Sequence, residues 1–557
     1  MPDRFDLGRY VRKVTTGSEH AQRWFNLGLN WCYGFNQEEG VKCFLRALEA
    51  DPSCAMAHWG VAYGTGPFYN LPWRHLGVAE AARVTRLCHE HSRKALEMAG
   101  SASAAEADLI EALTHRFGLP EAVAPDEFDR WDDAYADAMR KVYEDYPDDL
   151  DVIALYAEAL MTRTPWKLWD TARGVPATGA DTAEAIEALD RAITLSDERG
   201  EDQHPAILHL HIHALEMSPQ PEEALESADQ LGELCPDAGH MNHMPGHIYA
   251  QCGLYDKAKW ASEKAIRADR MFADYAGNYT FYTTARAHDL HLMMSACMFL
   301  GQYAPAKAAA DEMCAVLSPD VLTFDDRPQM TATMEGYHSM YAHVLVRFGK
   351  WAQIAKMTLP DDRQLYCVST AMILYAKVVA FAALGRFSEA DRAKEDYFSA
   401  RERISADREF FNNKALDILG VAEAMFEGEL AYHRGETKPA FRHLRTAVER
   451  CDDLAFSEPW PWMHPPRHAL GALLCAEGQY EEAEEVYRAD LGLNATLQRC
   501  CQNPGNVWSM HGLAECLRQR AAYDELESVK ADLARASALT DGSVTSSCCC
   551  RKSAPPP

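Results

Sequence analysis

Bulky apolar and small residues recur along this chain with the spacing of paired helices. From Trp24 to Pro52 it reads WFNLGLNWCYGFNQEEGVKCFLRALEADP, with Trp24, Leu27, Gly28 and Trp31 on one helical face and Gly40, Phe44 and Ala47 on the next. Large positions opposite small ones let two antiparallel helices approach closely, and Pro52 cannot continue the second helix. The turn-plus-helix half of this pattern returns at 253–269 (GLYDKAKWASEKAIRAD), 301–313 (GQYAPAKAAADEM), 385–390 (GRFSEA) and 478–487 (GQYEEAEEVY). Weaker versions begin near Ala55, Asp148, Pro205, Arg347 and Trp508. The count comes to about nine or ten hairpins, interrupted by insertions at roughly 65–130, 163–203 and 270–286. Such hairpins bury their apolar stripes only against their neighbours, so the pattern predicts one all-α array over residues 1–540.

The order of Trp24, Leu27-Gly28, Gly40, Phe44, Ala47 and Pro52 resembles the tetratricopeptide repeat (TPR), with Trp31 where Tyr is usual and Gly40 where Ala is usual. That resemblance implies an α-solenoid, a TPR-type superhelix with irregular insertions, whose concave groove is lined by the first helix of each hairpin. Further stretches are similar to a group of mostly bacterial TPR-domain proteins: HLHIHALEMSPQPEEAL (209–225), GHMNHMPGHIYAQCGLYDKA (239–258), HDLHLMM (288–294), EPWPWMHPPRHALGALL (458–474) and NVWSMHGL (506–513). This likeness spans roughly residues 20–520 and brings no activity with it.

Candidate chemistry concentrates in His204 to Tyr255, which holds seven of the 22 histidines. His209 and His213 are one helical turn apart, as are His243 and His247, and the second pair repeats the first 34 residues later. In TPR register His209, His213, His240, His243, His247, His288 and His291 face inward, joined by His343, Glu216 and Glu158. His211 falls on the packed side, which predicts a structural role for it. Packed helices lie about 8–10 Å apart and side chains one turn apart about 5–6 Å, so imidazoles on adjacent helices can converge on one metal ion. Imidazole suits zinc, copper, iron and nickel. The all-nitrogen character favours copper, with iron or zinc as alternatives, and Glu216 or Glu158 as a base toward metal-bound water.

The sequence therefore points to a metal-dependent enzyme acting on a small molecule, as a copper or iron oxidoreductase. A zinc-dependent hydrolase or lyase is the alternative at the same site, and a non-enzymatic scaffold holding a peptide in the groove is the rival from a different class. In that rival the aligned imidazoles bond to one another, to water or to a peptide carboxylate. His20, His75, His89, His91, His115, His433 and His443 read as isolated structural residues. The proline-rich segment from Glu458 to His468 reads as packing, with Trp460 and Trp462 as an aromatic wall. No Gly-x-Ser-x-Gly, His-Glu-x-x-His, phosphate loop or dinucleotide fingerprint occurs.

Composition narrows the setting. A formal charge of −28 over 557 residues, with no Lys/Arg cluster, argues against nucleic acid as a partner. The apolar runs are too short for a membrane span, the charged first residues lack a secretory pattern, and 17 cysteines without a Cys-x-x-Cys pair point to a reducing, cytoplasmic setting. Residues 541–557, ending SVTSSCCCRKSAPPP, lack periodicity and are expected to be a disordered Cys/Pro tail.

Overall fold

The computed structural model describes residues 4–324 and 327–551. They form 26 α-helices and two short β-hairpins, and the chain divides into two compact units where the repeat pattern had suggested one array. Among the described residues no helix is long and apolar enough to cross a membrane.

Unit 1 comprises Met1–Ile248 and Lys264–Tyr282. Its helices are α1 (Glu19–Tyr33), α2 (Gln37–Ala50), α3 (Ala55–Thr65), α4 (Val78–Met98), α5 (Ala104–Thr114), α6 (Pro125–Asp145), α7 (Leu150–Thr162), α8 (Thr182–Arg199), α9 (Pro205–Leu215) and α10 (Leu225–Leu234), with residues 239–248 of α11 (Gly239–Gln251) and 264–276 of α12 (Tyr255–Ala276). From α1 to α10 each helix packs on the next, and α1 on α3, α3 on α5 and α7 on α9 as well, so alternate helices form a layer. The insertion at 65–130 is thus itself helical, and the one at 163–203 carries the hairpin β1 (Trp169–Asp170) and β2 (Val175–Pro176).

The close approach read from the first repeat is visible at Phe44 of α2. A methyl group added at Gly28 of α1 would lie 2.7 Å from its ring, and one at Gly60 of α3 2.5 Å, so the ring wedges between two first helices that only glycine allows so near. Caps set where the helices begin. Ser18 accepts from the Ala21 amide, and Asp149 from the amides of Asp151 and Val152. His204 caps α9 by accepting from Ala206 and Ile207 through Nδ1, while its Nε2 faces Asp151 Oδ1 at 3.3 Å.

Unit 2 comprises Tyr249–Glu263 and Thr283–Pro557. Its further helices are α13 (Tyr282–Phe299), α14 (Tyr303–Val316), α15 (Pro319–Leu322), α16 (Pro328–Ser339), α17 (Tyr341–Arg347), α18 (Trp351–Ile354), α19 (Cys367–Ala383), α20 (Phe387–Arg401), α21 (Ala415–His433), α22 (Thr437–Asp452), α23 (Pro466–Ala476), α24 (Tyr480–Asp490), α25 (Val507–Gln519) and α26 (Tyr523–Ser537). The alternate-helix layer is repeated in α19 on α21 and α23 on α25. A hairpin of β3 (Glu409–Phe410) and β4 (Asn413–Lys414) turns through Phe411 and Asn412, both left-handed at φ 50° and 57°, the conformation a two-residue hairpin turn requires.

Residues 541–551 differ from the expected disordered tail. Ser547 is 1% exposed and Cys550 likewise, because the segment finds hydrogen-bond partners on α17, α23 and α24 that a sequence without periodicity does not advertise. The remaining tail, 552–557, lies outside the described residues.

Candidate metal centre

Five of the histidines singled out by register, His209, His213, His240, His243 and His247, belong to unit 1, and all are buried. Their arrangement starts at the end of α1. There the chain turns through Phe35, held left-handed at φ 55°, a conformation costing a non-glycine residue about 1–2 kcal/mol. The turn aims the Tyr33 carbonyl at His209 Nδ1, 2.7 Å away. It also sets the Phe35 ring 4.4 Å from the His209 ring and stacks it against His213 at 5.6 Å and His240 at 5.3 Å. The Tyr69 ring lies 4.8 Å from His213, and Trp169 of β1 donates to the Ala214 carbonyl at the end of α9.

Hydrogen bonds decide what each imidazole offers. A carbonyl only accepts, so His209 Nδ1 carries its proton toward Tyr33 and Nε2 keeps its lone pair. His213 Nδ1 lies 3.0 Å from Glu216 Oε1, and His247 Nδ1 2.6 Å from Glu216 Oε2. Both therefore donate to the same carboxylate. Among the described residues, His209 Nε2 and His213 Nε2 are buried with no hydrogen-bond partner. One ring nitrogen from each of His209, His213 and His240 lies within 4.8 Å of the others. His243 Nε2 and His247 Nε2 are 2.6 Å apart, their rings nearly perpendicular.

Burial disfavours the charged form of two of these imidazoles, His209 and His247. Burial holds His209 well below the ordinary imidazole range, and His213 beside it adds to the effect. Burial also lowers His247, although Glu216 pulls the other way. For Glu216, burial opposes ionisation, but His213 and His247 outweigh it and hold the carboxyl at about 2. A neutral imidazole whose Nδ1 proton is held by a carboxylate or carbonyl is the form that ligates metals.

The two carboxylates expected as bases fare differently. Both oxygens of Glu216 are already engaged by imidazoles, so the geometry makes it a group that orients His213 and His247 rather than one open to a bound water. Glu158 of α7 accepts from the Tyr63 hydroxyl through Oε2, leaves Oε1 without a partner, and has its carboxyl raised by burial. Together with Cys32, Tyr33, Tyr63 and His209 it lines an enclosed cavity with ≈ 10 Å³ of room, about one water molecule. His211 points to the packed side, 2.8 Å from Ser227 Oγ and 3.2 Å from Asp190 Oδ1.

His288, His291 and His343 belong to unit 2. His291 is buried between the Phe411 and Tyr337 rings, 5.1 and 5.4 Å away, and among the described residues neither ring nitrogen has a partner. The His288 ring centre lies 6.1 Å from that of Tyr337. His343 pairs Nδ1 with His464 Nδ1 at 2.9 Å and packs 4.5 Å from Trp462, so the 458–468 segment packs against one of the histidines assigned by register. Among the described residues of unit 2 taken alone, no three ligand atoms gather as they do at His209, His213 and His240. The residues that sequence reasoning missed are Tyr33 and Phe35. Gly34 marks a turn there, but nothing in the sequence tells a left-handed phenylalanine from an ordinary loop residue.

No family model matches the chain, and no curated protein matches it. Among solved structures it is similar to the human IFIT1 dimer with m7Gppp-AAAA, at 11% identity over 94% of this chain and 92% of that one, with a TM-score of 0.32. It is also similar to the APC/C hetero-tetramer Cut9-Hcn1, at 11% identity over 75% and 96%, with a TM-score of 0.23. At these values the likenesses say nothing of ligand or chemistry.

Proposed function

We propose that unit 1 is the metal-binding part of a metal-dependent enzyme, with His209 Nε2, His213 Nε2 and a ring nitrogen of His240 as ligands. One observation carries the reading: two buried imidazoles whose Nδ1 protons are tied down keep Nε2 without a partner among the described residues, and one ring nitrogen of each lies within 4.8 Å of one of a third imidazole, His240. Three imidazoles with no thiolate or carboxylate among them suit copper best, and zinc or iron next. His243 and His247 stand beside this set, with Glu216 linking the two groups. The substrate class assigned is a small molecule, since the centre is buried away from any extended peptide. Copper would supply oxidative chemistry there, and zinc hydrolysis or hydration. Glu158, with a free oxygen in the cavity it shares with His209, is the group placed to hold a proton.

The test is elemental analysis of the purified, untagged chain beside a His209→Ala/His213→Ala variant, with circular dichroism confirming that both remain helical. Near-stoichiometric metal in the parent and its loss from the folded variant is the expected result. Equal metal in both, or a parent that takes up neither copper, zinc nor iron on reconstitution, overturns the reading. A scaffold role draws its supporting observation from unit 2, where a segment of the chain itself lies along the helices.

A further inference from the structure

Tyr487 of α24 repeats in unit 2 the wedge that Phe44 makes in unit 1, with one difference. A methyl group added at Gly471 of α23 would lie 2.5 Å from its ring, and one at Gly512 of α25 2.1 Å, so the ring passes between two first helices that only glycine allows so close. Phe44 ends there as hydrocarbon. Tyr487 carries its hydroxyl through to the far side of the layer, where it meets Ser547 Oγ at 2.6 Å. Ser547 Oγ in turn donates to the His468 carbonyl at 2.8 Å. Arg347 donates to the Ser547 carbonyl at 2.6 Å.

The seat is built, polar and buried. Arg347 is 5% exposed, lies with its guanidinium carbon 3.6 Å from the centre of the Trp508 ring, and gives its other terminal nitrogen to His468 Nδ1 at 2.8 Å. His468 Nε2 is 2.9 Å from Asp490 Oδ2, and Asp490 is held further by Asn503, Asn506 and Ser509. The ring of His468 is thus fully engaged, and the chain of groups exists to hold Arg347 in place. Among the described residues Arg347 has no carboxylate partner of its own, and a backbone carbonyl takes that position.

The segment makes contacts on both sides of Ser547. The Leu539 carbonyl accepts from Gln302 at 2.6 Å, and Asp541 accepts from the Ala304 amide at 2.8 Å. Thr540 and Val544 lie over Gly301, and Cys549 over Gly349. Arg551 reaches Glu515 at 2.7 Å, beyond a turn closed by the Cys548–Cys550 pair. A run of 13 residues with no regular secondary structure therefore contacts α14, α17, α23, α24 and α25 of unit 2, mostly through main-chain and small polar groups.

We propose that residues 539–551 are an internal ligand: unit 2 carries a peptide-binding seat, built on Arg347, His468 and Tyr487, that takes an irregular segment with a serine at its centre, and the chain fills it in cis. Enclosure of Ser547 restricts the central residue to one with a small hydroxyl side chain. A tethered segment acts at an effective concentration on the order of mM, so the same peptide added in trans at µM levels is excluded from the intact chain.

The test places a site-specific protease sequence at Ala538, after α26, and cuts the folded full chain. A labelled peptide of residues 539–551, with Cys549→Ser and the outer cysteines paired, is followed by fluorescence anisotropy. It should bind the cut, washed protein at least about tenfold more tightly than the uncut chain, and the same peptide with Ser547→Trp should not bind. A cut segment that stays bound through gel filtration supports the proposal equally, its exchange with labelled peptide then being the readout. As a second variant, Ser547→Trp in the uncut chain should open the seat to the wild-type peptide. Failure of the peptide to bind protein that mass spectrometry shows has lost the segment, or equal binding to cut and uncut chains, overturns it.

Discussion

Unit 1 and unit 2 each bury a group of histidines, and the two groups differ in what their ring nitrogens do. In unit 1, Tyr33 and Glu216 take the Nδ1 protons and leave Nε2 of His209 and His213 without a partner among the described residues. In unit 2, His468 is engaged on both nitrogens by Arg347 and Asp490, His464 lies between His343 and the Tyr375 hydroxyl, and His291 sits alone between aromatic rings. His209 and His213 thus keep one lone pair each beside a third imidazole, whereas among the described residues of unit 2 taken alone no three ligand atoms gather. The deciding factor is whether imidazoles with one nitrogen held and the other spared are brought close to one another.

The comparison breaks most visibly at Asp490. Asp490→Ala strips four hydrogen-bonding groups of a fully buried carboxylate, and urea denaturation should show a loss of about 3–5 kcal/mol while the metal content of the folded protein is unchanged. Loss of metal from the folded variant would contradict the separation drawn between the two groups. Glu216→Gln comes next. The amide can accept from only one of the two imidazoles through its oxygen, so competition with a chelator should show metal affinity about 10–100-fold lower with helicity intact.

Two buried carboxyls should respond to pH with opposite sign. In unit 1, burial works against ionisation of Asp151, but the Arg12 guanidinium and His204 outweigh it and hold the carboxyl well below the usual range. A depressed folded pKa means stability present above about pH 4 and lost as the pH falls. In unit 2, burial pushes Glu429 up to about 8, and its Oε2 has no partner. The folded state then holds the extra proton, so this residue's contribution is lost as the pH rises from about 4.5 towards 8. Denaturation of Glu429→Gln should show a gain over the parent of roughly 1–3 kcal/mol at pH 8 that shrinks by pH 5. The deficit of Asp151→Asn should instead be largest near pH 7 and shrink towards pH 3. Identical pH trends for the two variants would show that the buried environments are not as different as drawn.

His291→Phe carries the smallest expected effect. An imidazole with neither nitrogen satisfied, stacked on Phe411, is replaced there at little cost, so stability should change by less than about 1 kcal/mol, with metal content unaltered. A fall in metal would return His291 to the ligand set its register suggested.

Much of this was legible in the chain. The helical hairpin of Trp24–Pro52, the shared face of His209 and His213, the repeat of that pair at His243 and His247, and the diversion of His211 to the packed side all follow from local periodicity. Less legible were the helical filling of the 65–130 insertion, the role of His204 as a cap, the full engagement of Glu216 and the seating of Ser547. The last three depend on two or three hydrogen bonds each, and no spacing rule announces them.

The sequence by itself determined the helices and which residues share a face, because both are set by neighbours three and four positions away. Only the tertiary structure decided which lone pairs are left for a ligand. His209 receives its partner, the Tyr33 carbonyl, from 176 residues earlier, through a turn whose left-handed phenylalanine nothing in the pattern foretells. Protonation and hydrogen bonding are properties of contacts made across the fold, and periodicity along the chain carries no information about them.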